Sequence, residues 1–388
     1  MLRVLTLATL FPDASRPTFG GFVERQTLTL AARDDVQLEV VAPIGVPPWP
    51  LNHHAQYRQF AAVPEREMWK GVTVHRPRFR SIPKIGGSRA PAAMARAVMP
   101  VLRDIHERFP FDIIDAEFFY PDGPAAMRLA ADIGVPFSVK ARGADIHYWG
   151  KKPGCAEQVR EAGLQASGLL AVSEALKVDM VALGMAADKI TVHYTGIDKE
   201  LFRPVDRAEA KQSLGITGPL IVTVGALIPR KGQAIVIDAL RDVPDATLWC
   251  IGEGPDRPAL EKQARALGLG ERVRFPGNLP HTEVASLLAT ADVMALPSVS
   301  EGLANAWTES LACGTPIVIS SAGGAAELID RPEAGAITAR EPAAIATETR
   351  RILADPPDQD AVRATVDRFS WERNSDALFT HLSRLVER

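Results

Sequence analysis

The stretch PLIVTVGALIPRKG, Pro219 to Gly232, decides how the rest of the chain is read. A short aliphatic run reaches Gly225, a turn follows, and a helical pattern begins near Gln233. A buried strand passing through a glycine turn into a helix is the repeating unit of a parallel sheet with helical crossovers.

The same unit recurs in both directions. Upstream, RVLTLATL, VQLEVVAP, FDIIDAE, PFSVKA, SGLLAVS and KITVHY read as strands, with helices predicted over Phe22 to Ala32, Ala90 to Arg108, Gly123 to Ile133 and Glu174 to Leu183. Downstream, ATLWCIG, RVRFPG, DVMALP, TPIVIS and AGAIT repeat the theme, separated by Gln233 to Leu240, Pro258 to Leu267, Glu283 to Ala289 and Asn305 to Cys313. Strands alternating with helices imply an α/β class and right-handed crossovers. Glycine and proline punctuate the polar segment YTGIDKELFRPVD between the two series. Two doubly wound domains are therefore expected, residues 1–198 and 199–370, followed by a terminal helix over 371–388. Ligands of such sheets bind beyond the carboxyl ends of the strands, so two domains joined in this way are expected to share a cleft.

Bulk properties agree with two globular units. The chain has 388 residues, 46% of them apolar and 23% charged, with a formal net charge of −3, so extensive disorder and a general affinity for nucleic acid are both disfavoured. Cys155, Cys250 and Cys313 are scattered and form no CxxC pair, which argues against a disulfide framework or structural zinc and fits a reducing cytoplasm. The opening MLRVLTLATLFPDASRP has one arginine before a short apolar run, as a signal peptide does. Threonines break that run and no small-x-small cleavage pattern follows, so it reads as a first strand. No stretch is apolar and long enough to span a bilayer.

Several loops carry candidate chemistry. Arg230 and Lys231 lie between a parallel strand and a helix start, where backbone N–H groups and the helix dipole also favour an anion, so they read as phosphate or diphosphate ligands. The same residues also suit a solvated basic turn. Gly323 and Gly324 follow PIVIS and let main-chain amides approach an oxyanion, although many such turns hold two glycines for conformational reasons alone. Gly20 and Gly21 precede the first helix without the GxGxxG spacing of dinucleotide sites.

In SEGLANAWTESLACGTP, Ser300 to Pro316, Glu301 falls in the loop before the helix and Glu309 about one turn inside it. On one continuous helix their eight-residue spacing would give about 12 Å of rise, beyond the roughly 5 to 9.5 Å between glycosidase carboxyl groups. Carboxylates repel phosphate and accept hydrogen bonds from hydroxyls, so the two glutamates fit a sugar and a ribose, while Arg230 and Lys231 fit the charge between them. Ordinary surface charge is the other reading of two isolated glutamates.

Taken together, SVSEGLANAWTESLACGTPIVISSAGGAAELI, VGALIPRKG, GEGPDRPALEKQARALGLGERVRFPGNLP, AVSEALKVDMVALGMAADKITVHYTGIDKELFRP and FPDASRPTFGGFVERQ resemble, in order, the retaining glycosyltransferases of family 4, with their E-x7-E region. The resemblance covers practically the whole chain. It implies the GT-B fold, two Rossmann-like domains facing across a cleft. The carboxyl-terminal domain would bind a nucleotide-sugar and the amino-terminal domain the acceptor, and the last helix would cross back to the first domain.

By the same resemblance Glu309 would hold ribose hydroxyls, Glu301 the donor sugar and Lys231 the diphosphate. Gly225, Gly252, Gly302, Leu303, Gly323 and Gly324 would line the donor pocket, joined by Gly20 and Gly21. Arg230, Arg142 and Asp145 would complete the catalytic group, with Glu117, Tyr120 and His147 on the acceptor side. Three departures stand out. Ala226 replaces an arginine common after that glycine, Arg142 replaces the histidine of His-Gly-x-Asp, and Asp115 and Glu117 stand where histidines are common. A salt bridge between Arg142 and Asp145 is the structural alternative to their catalytic role.

Residues 58–108 hold eleven basic groups, Arg58, Arg66, Lys70, Arg76, Arg78, Arg80, Lys84, Arg89, Arg96, Arg103 and Arg108, against four acidic ones, a local charge of +7. Such an excess suits anionic headgroups or a phosphorylated acceptor, with Trp69, Phe79 and Ile82 as an apolar edge, and it equally suits a solvated face. The expectation is a cytoplasmic hexosyltransferase, with peripheral contact at the inner membrane face as an option. It would move a monosaccharide from a nucleoside diphosphate sugar to a hydroxyl acceptor, with a lipid-linked one as an option, in cell-envelope or exopolysaccharide synthesis, with no cofactor, metal or nucleic acid. A nucleotide-sugar 2-epimerase of the same fold and a non-enzymatic two-lobed sugar-binding protein are the alternatives.

Overall fold

The computed structural model describes residues 1–82 and 87–387; Lys84 of the basic tally and Arg388 at the end of the terminal segment lie outside the described residues. The chain divides into two compact units, Met1–Gly196 with Trp371–Arg388, and Ile197–Ser370.

In the amino-terminal unit the strands are β1 (Leu2–Leu7), β2 (Val36–Val41), β3 (Ile44–Val46), β4 (Arg66–Trp69), β5 (Val72–His75), β6 (Arg78–Arg80), β7 (Ile113–Ala116), β8 (Phe137–Ala141), β9 (Gly168–Ala171) and β10 (Ile190–Val192). Eight of them form one sheet in the order β10-β9-β8-β7-β1-β2-β5-β4, and β3 pairs with β6 alone. Val4, Leu5 and Leu7 of β1 are all fully buried, because helices cover both faces of a parallel sheet and the strand reads as an unbroken apolar run. Strand β4 departs from the parallel rule. It joins β5 antiparallel through Lys70 and Gly71, whose φ values of 47° and 93° belong to a tight two-residue turn.

The terminal helix Trp371–Val386 packs in this unit. Its Leu378, Leu382 and Leu385 share a core with Leu2, Val4, Ile113 and Leu170. The close approach also explains two glycines, since a Cβ at Gly168 would lie 2.7 Å from His381 and one at Gly196 only 2.6 Å from Trp371.

The carboxyl-terminal unit holds β11 (Leu220–Val224), β12 (Thr247–Ile251), β13 (Val273–Gly277), β14 (Val293–Leu296), β15 (Ile317–Ile319) and β16 (Gly335–Ile337), all parallel, in the order β13-β12-β11-β14-β15-β16. Its core brings Ile221, Leu248, Val293 and Val318 of the sheet against Val236, Ile237, Leu240 and Ile345 of the helices. In each unit the chain reverses direction of winding at one pair of central strands, β11 and β14 here, β1 and β7 in the other. Loops leaving the carboxyl ends of such a pair diverge and open the natural ligand site.

All three cysteines are buried and free. Among the described residues no helix is long and apolar enough to cross a membrane. Much of the basic excess between residues 58 and 108 is taken up internally, which corrects the picture of one continuous cationic face. Arg76 is buried against Glu67 at 2.6 Å and the Pro12 carbonyl, Arg78 donates to the carbonyls of Arg76, Phe60 and Val63, and Arg108 meets Glu39 at 2.5 Å. Lys70 and Arg103 pair with Glu24 and Asp132. Trp69 is likewise held, its indole N–H donating to Glu24, whereas Arg66, Arg80, Arg89 and Arg96 remain exposed.

Candidate active site

At the divergence of β11 and β14, three loops converge. The first leaves β11 at Gly225 and enters a short turn, Pro229–Lys231, after which Gly232 at φ 79° leads into the helix Gln233–Ala239. Gly225 and Gly252 both have positive φ, and a Cβ on Gly252 would overlap the Gly225 carbonyl, so these two turns touch backbone to backbone. The second loop follows β14; the amide of its Val299 donates to the Arg230 carbonyl at 2.8 Å. The third follows β15, where Gly323 has φ 51° and a Cβ would overlap the Glu301 carbonyl, while the Gly324 amide donates to the Gly302 carbonyl at 2.8 Å.

This convergence brings Lys231 and Glu301 together across seventy residues. Lys231 Nζ donates to Glu301 Oε1 at 2.6 Å, and Arg230 Nη1 lies 3.7 Å from the same oxygen while donating to the Ser300 carbonyl. The side chain of Glu301 is 9% exposed and that of Lys231 14%, against 39% for Arg230, so the pair is a partly desolvated charge contact with an accessible arginine beside it. Leu303 is buried in the same loop.

Glu309 sits on the helix Asn305–Ala312, anchored through buried Trp307, Ser310 and Leu311 and ended by Gly314 at φ 74°. Its carboxyl is pushed up to about 7 because burial disfavours the charged form. His281 Nε2 is 3.6 Å from it, and the Phe202 ring meets His281 edge-on at 5.4 Å.

The amino-terminal unit gathers a second set of groups at the ends of β7 and β8. Glu117 is buried, and its oxygens accept from Gln26 Nε2 and Arg142 Nη2, while Arg142 Nε donates to the Glu117 carbonyl at 2.7 Å. The Gln26 amide oxygen accepts in turn from Lys140 Nζ. His193 Nε2 is 2.8 Å from the Asn374 carbonyl, which only an N–H satisfies, so Nδ1 carries the lone pair and accepts from Lys140 at 2.6 Å. Burial pushes both Lys140 and His193 toward their neutral forms. Asp115 is buried nearby with neither oxygen hydrogen-bonded, and burial followed by the Glu117 charge raises its pKa well above the carboxylate range. Gln26, Lys140 and His193 escaped the sequence reading. The one available signal was a lysine inside the otherwise apolar strand PFSVKA.

The Arg142 guanidinium therefore turns to Glu117, and no side-chain bridge to Asp145 forms. Asp145 instead accepts from the amides of Phe119, Arg142, Gly143 and Ile146, at 2.8 to 3.1 Å, so it shapes the loop that carries Arg142. His147 pairs with Asp179 at 2.9 Å. Buried Tyr120 donates to the Gly87 carbonyl and stacks on Trp149 at 4.9 Å. Gly20, at φ 68°, must be glycine because a Cβ would overlap the Leu10 carbonyl, whereas Gly21 faces open space. The five catalytic candidates thus fall into two groups, Arg230, Lys231 and Glu301 in one unit, Arg142 and Asp145 in the other.

Comparison with known proteins matches residues 23–201 to the family described as Glycosyltransferase Family 4, and residues 206–376 to the one described as Glycosyl transferases group 1. A putative teichuronic acid biosynthesis glycosyltransferase of Bacillus subtilis is 27% identical over 340 residues, covering 85% of this chain and 84% of that protein. A GDP-mannose-dependent phosphatidylinositol monomannoside mannosyltransferase of Mycolicibacterium smegmatis is 35% identical over 176 residues, 42% of this chain and 46% of that one. Among solved structures, sucrose-phosphate synthase from Thermosynechococcus elongatus aligns over 100% of both chains with a TM-score of 0.83 and 19% identity. With both family matches laid over the two Rossmann-like units, the chain belongs to the family 4, group 1 glycosyltransferases and carries their GT-B fold.

Proposed function

We propose that the enzyme transfers a monosaccharide from a nucleoside diphosphate sugar to a hydroxyl of a cell-envelope acceptor, with retention of the anomeric configuration. The observation that carries this reading is the Lys231–Glu301 pair at the divergence of β11 and β14, with Arg230 beside it. As the bond from the anomeric carbon to the diphosphate oxygen breaks, charge builds on the departing diphosphate. Lys231 and Arg230 stabilise that charge better than water because they are already held in place. Glu301 accepts hydrogen bonds from donor-sugar hydroxyls and Glu309 from the ribose.

The acceptor oxygen bonds to the carbon from the face the diphosphate leaves, and its proton passes to a departing phosphate oxygen. No protein nucleophile takes part. Side chains supply the positive charge, so the scheme calls for no metal or cofactor. Glu117, Arg142, Tyr120 and His147 of the amino-terminal unit would address the acceptor, at the cytoplasmic face of the membrane. The cell-envelope assignment draws on the names of the bacterial relatives, a teichuronic acid enzyme and a phosphatidylinositol mannoside mannosyltransferase.

Thermal-shift screening with UDP, GDP and ADP identifies the nucleotide, because a ligand selective for the native state raises its midpoint. Incubation of the matching sugar donor with acceptor, followed by proton NMR of the product, reads the anomeric configuration. An inverted product, or epimerised donor without acceptor, contradicts the proposal.

A further inference from the structure

A cavity of about 210 Å³ opens in the amino-terminal unit beside the acceptor-side residue Tyr120, with Phe79, Ile82, Ala90, Pro121, Trp149 and Lys152 in its walls and Ser81 and Gly87 adding polar groups. Among the described residues no acidic side chain lines it. Pockets that enclose a whole drug-sized ligand measure roughly 300 to 1,000 Å³, so this one holds part of a larger molecule.

The state of Trp149 narrows which part. Tyr120 stacks on its ring at 4.9 Å, Lys152 Nζ lies over the ring at 4.6 Å, and Tyr148 meets it edge-on at 5.0 Å. Less of its face is left for a stacked sugar, because Tyr120 and Lys152 already engage the ring. Its six-membered edge instead closes the cavity, Cζ3 standing 3.3 Å from where a Gly87 Cβ would be. The walls are mostly aliphatic carbon and aromatic edge, surfaces that take up hydrocarbon, with Ser81 and the Gly87 backbone as the polar exceptions.

The rim has the opposite character. Lys152 Nζ stands 3.6 Å from the same Gly87 Cβ position, and among the described residues no carboxylate pairs with it. Arg80, Arg89 and Lys151 are exposed nearby in sequence. Strands β3 and β6 run parallel, with Val46 opposite Arg80 and the Ser81 amide bonded to the Val46 carbonyl, so the chain after each leaves from the same end. Beyond those ends lie Ile82, exposed at 44%, and Trp49 and Leu51, exposed at 77% and 52%. Exposed large apolar groups next to cations and an apolar recess mark a surface for an amphiphile.

We propose that this cavity receives the hydrocarbon adjoining the phosphate of a lipid-linked acceptor, with the Lys152 ammonium against that phosphate. The inference rests on the glycosyl-transfer reading for the word acceptor; the binding itself is tested without any donor. Isothermal titration of the full chain with decyl phosphate, kept below its micelle concentration, is expected to show one saturable site. Ala90→Trp, which fills the cavity, and Lys152→Glu, which reverses the rim charge, should each weaken binding at least tenfold. Decanol should bind at least tenfold more weakly than decyl phosphate, and inorganic phosphate should not compete.

Absence of saturable binding overturns the inference, as does equal affinity in both variants or displacement by inorganic phosphate. Nucleoside diphosphate thermal shifts on the same samples check folding of the variants. They also separate the two readings: shifts without decyl phosphate binding sink only the lipid site, and binding without shifts sinks only the donor site.

Discussion

Glu309 is a residue whose local environment sets a measurable property. Burial holds its carboxyl near 7, so below that pH it is largely protonated and above it largely ionised. An ionised carboxylate accepts hydrogen bonds from both ribose hydroxyls, whereas the protonated form loses part of that capacity. Nucleoside diphosphate affinity is therefore expected to rise severalfold as pH increases from 6 to 8, beyond the change from phosphate ionisation seen with the Glu309→Gln variant. Titration calorimetry across that range checks it, and equal pH slopes in the two proteins would remove Glu309 from the site. The residue was legible in the sequence because its offset from Glu301 and from the helix stop at Gly314 fixed where it had to lie. The Gln26–Lys140–His193 chain was not legible, since it is assembled from a helix, a strand and the residue just after β10, and hydrogen bonds over separations of 114 and 53 residues leave no local pattern. Asp145 illustrates a third case: its place in the loop was foreseen, but four backbone amides occupy the carboxylate, a fate that residue type alone does not indicate.

Among the elements, the loop after β15 tests whether backbone geometry builds the site. Gly323→Ala places a methyl group onto the Glu301 and Gly302 carbonyls and strains a positive φ. It should lower stability by about 1–3 kcal/mol and reduce nucleotide affinity together. Gly21→Ala meets nothing within 4 Å and begins a helix, so its thermal midpoint should stay level or rise. Equal effects of the two substitutions in thermal denaturation would contradict the role given to the Gly323 turn. The central parallel strands β7, β8, β9, β14 and β15 could be read because they are buried along their whole length and appear as apolar runs. Strands β4 to β6 could not, because REMWKGVTVHRPRFR mixes charge into an edge hairpin and one strand of a small separate sheet. There the pairing is set by the Lys70–Gly71 turn and by internal arginine contacts. Those contacts also explain why counting charges over residues 58–108 overstated the free basic surface.

For the whole molecule, the terminal helix is the feature whose removal is most informative. A chain ending at Ser370 loses Leu378, Leu382 and Leu385 from the core around β1 and leaves Ser138 without its His381 partner at 2.9 Å. The amino-terminal unit should then become protease-sensitive at lower temperature than the carboxyl-terminal unit, whose core is untouched. Limited proteolysis with mass analysis of the fragments reads this; equal sensitivity of both units would contradict it. The central claim concerns the cations of the carboxyl-terminal unit, and calorimetric comparison of a nucleoside diphosphate with its parent nucleoside tests it most directly. The account predicts that the diphosphate binds the native chain at least a hundredfold more tightly, and that Lys231→Ala with Arg230→Ala removes most of that advantage while nucleoside affinity is retained. An advantage that survives both substitutions would contradict it.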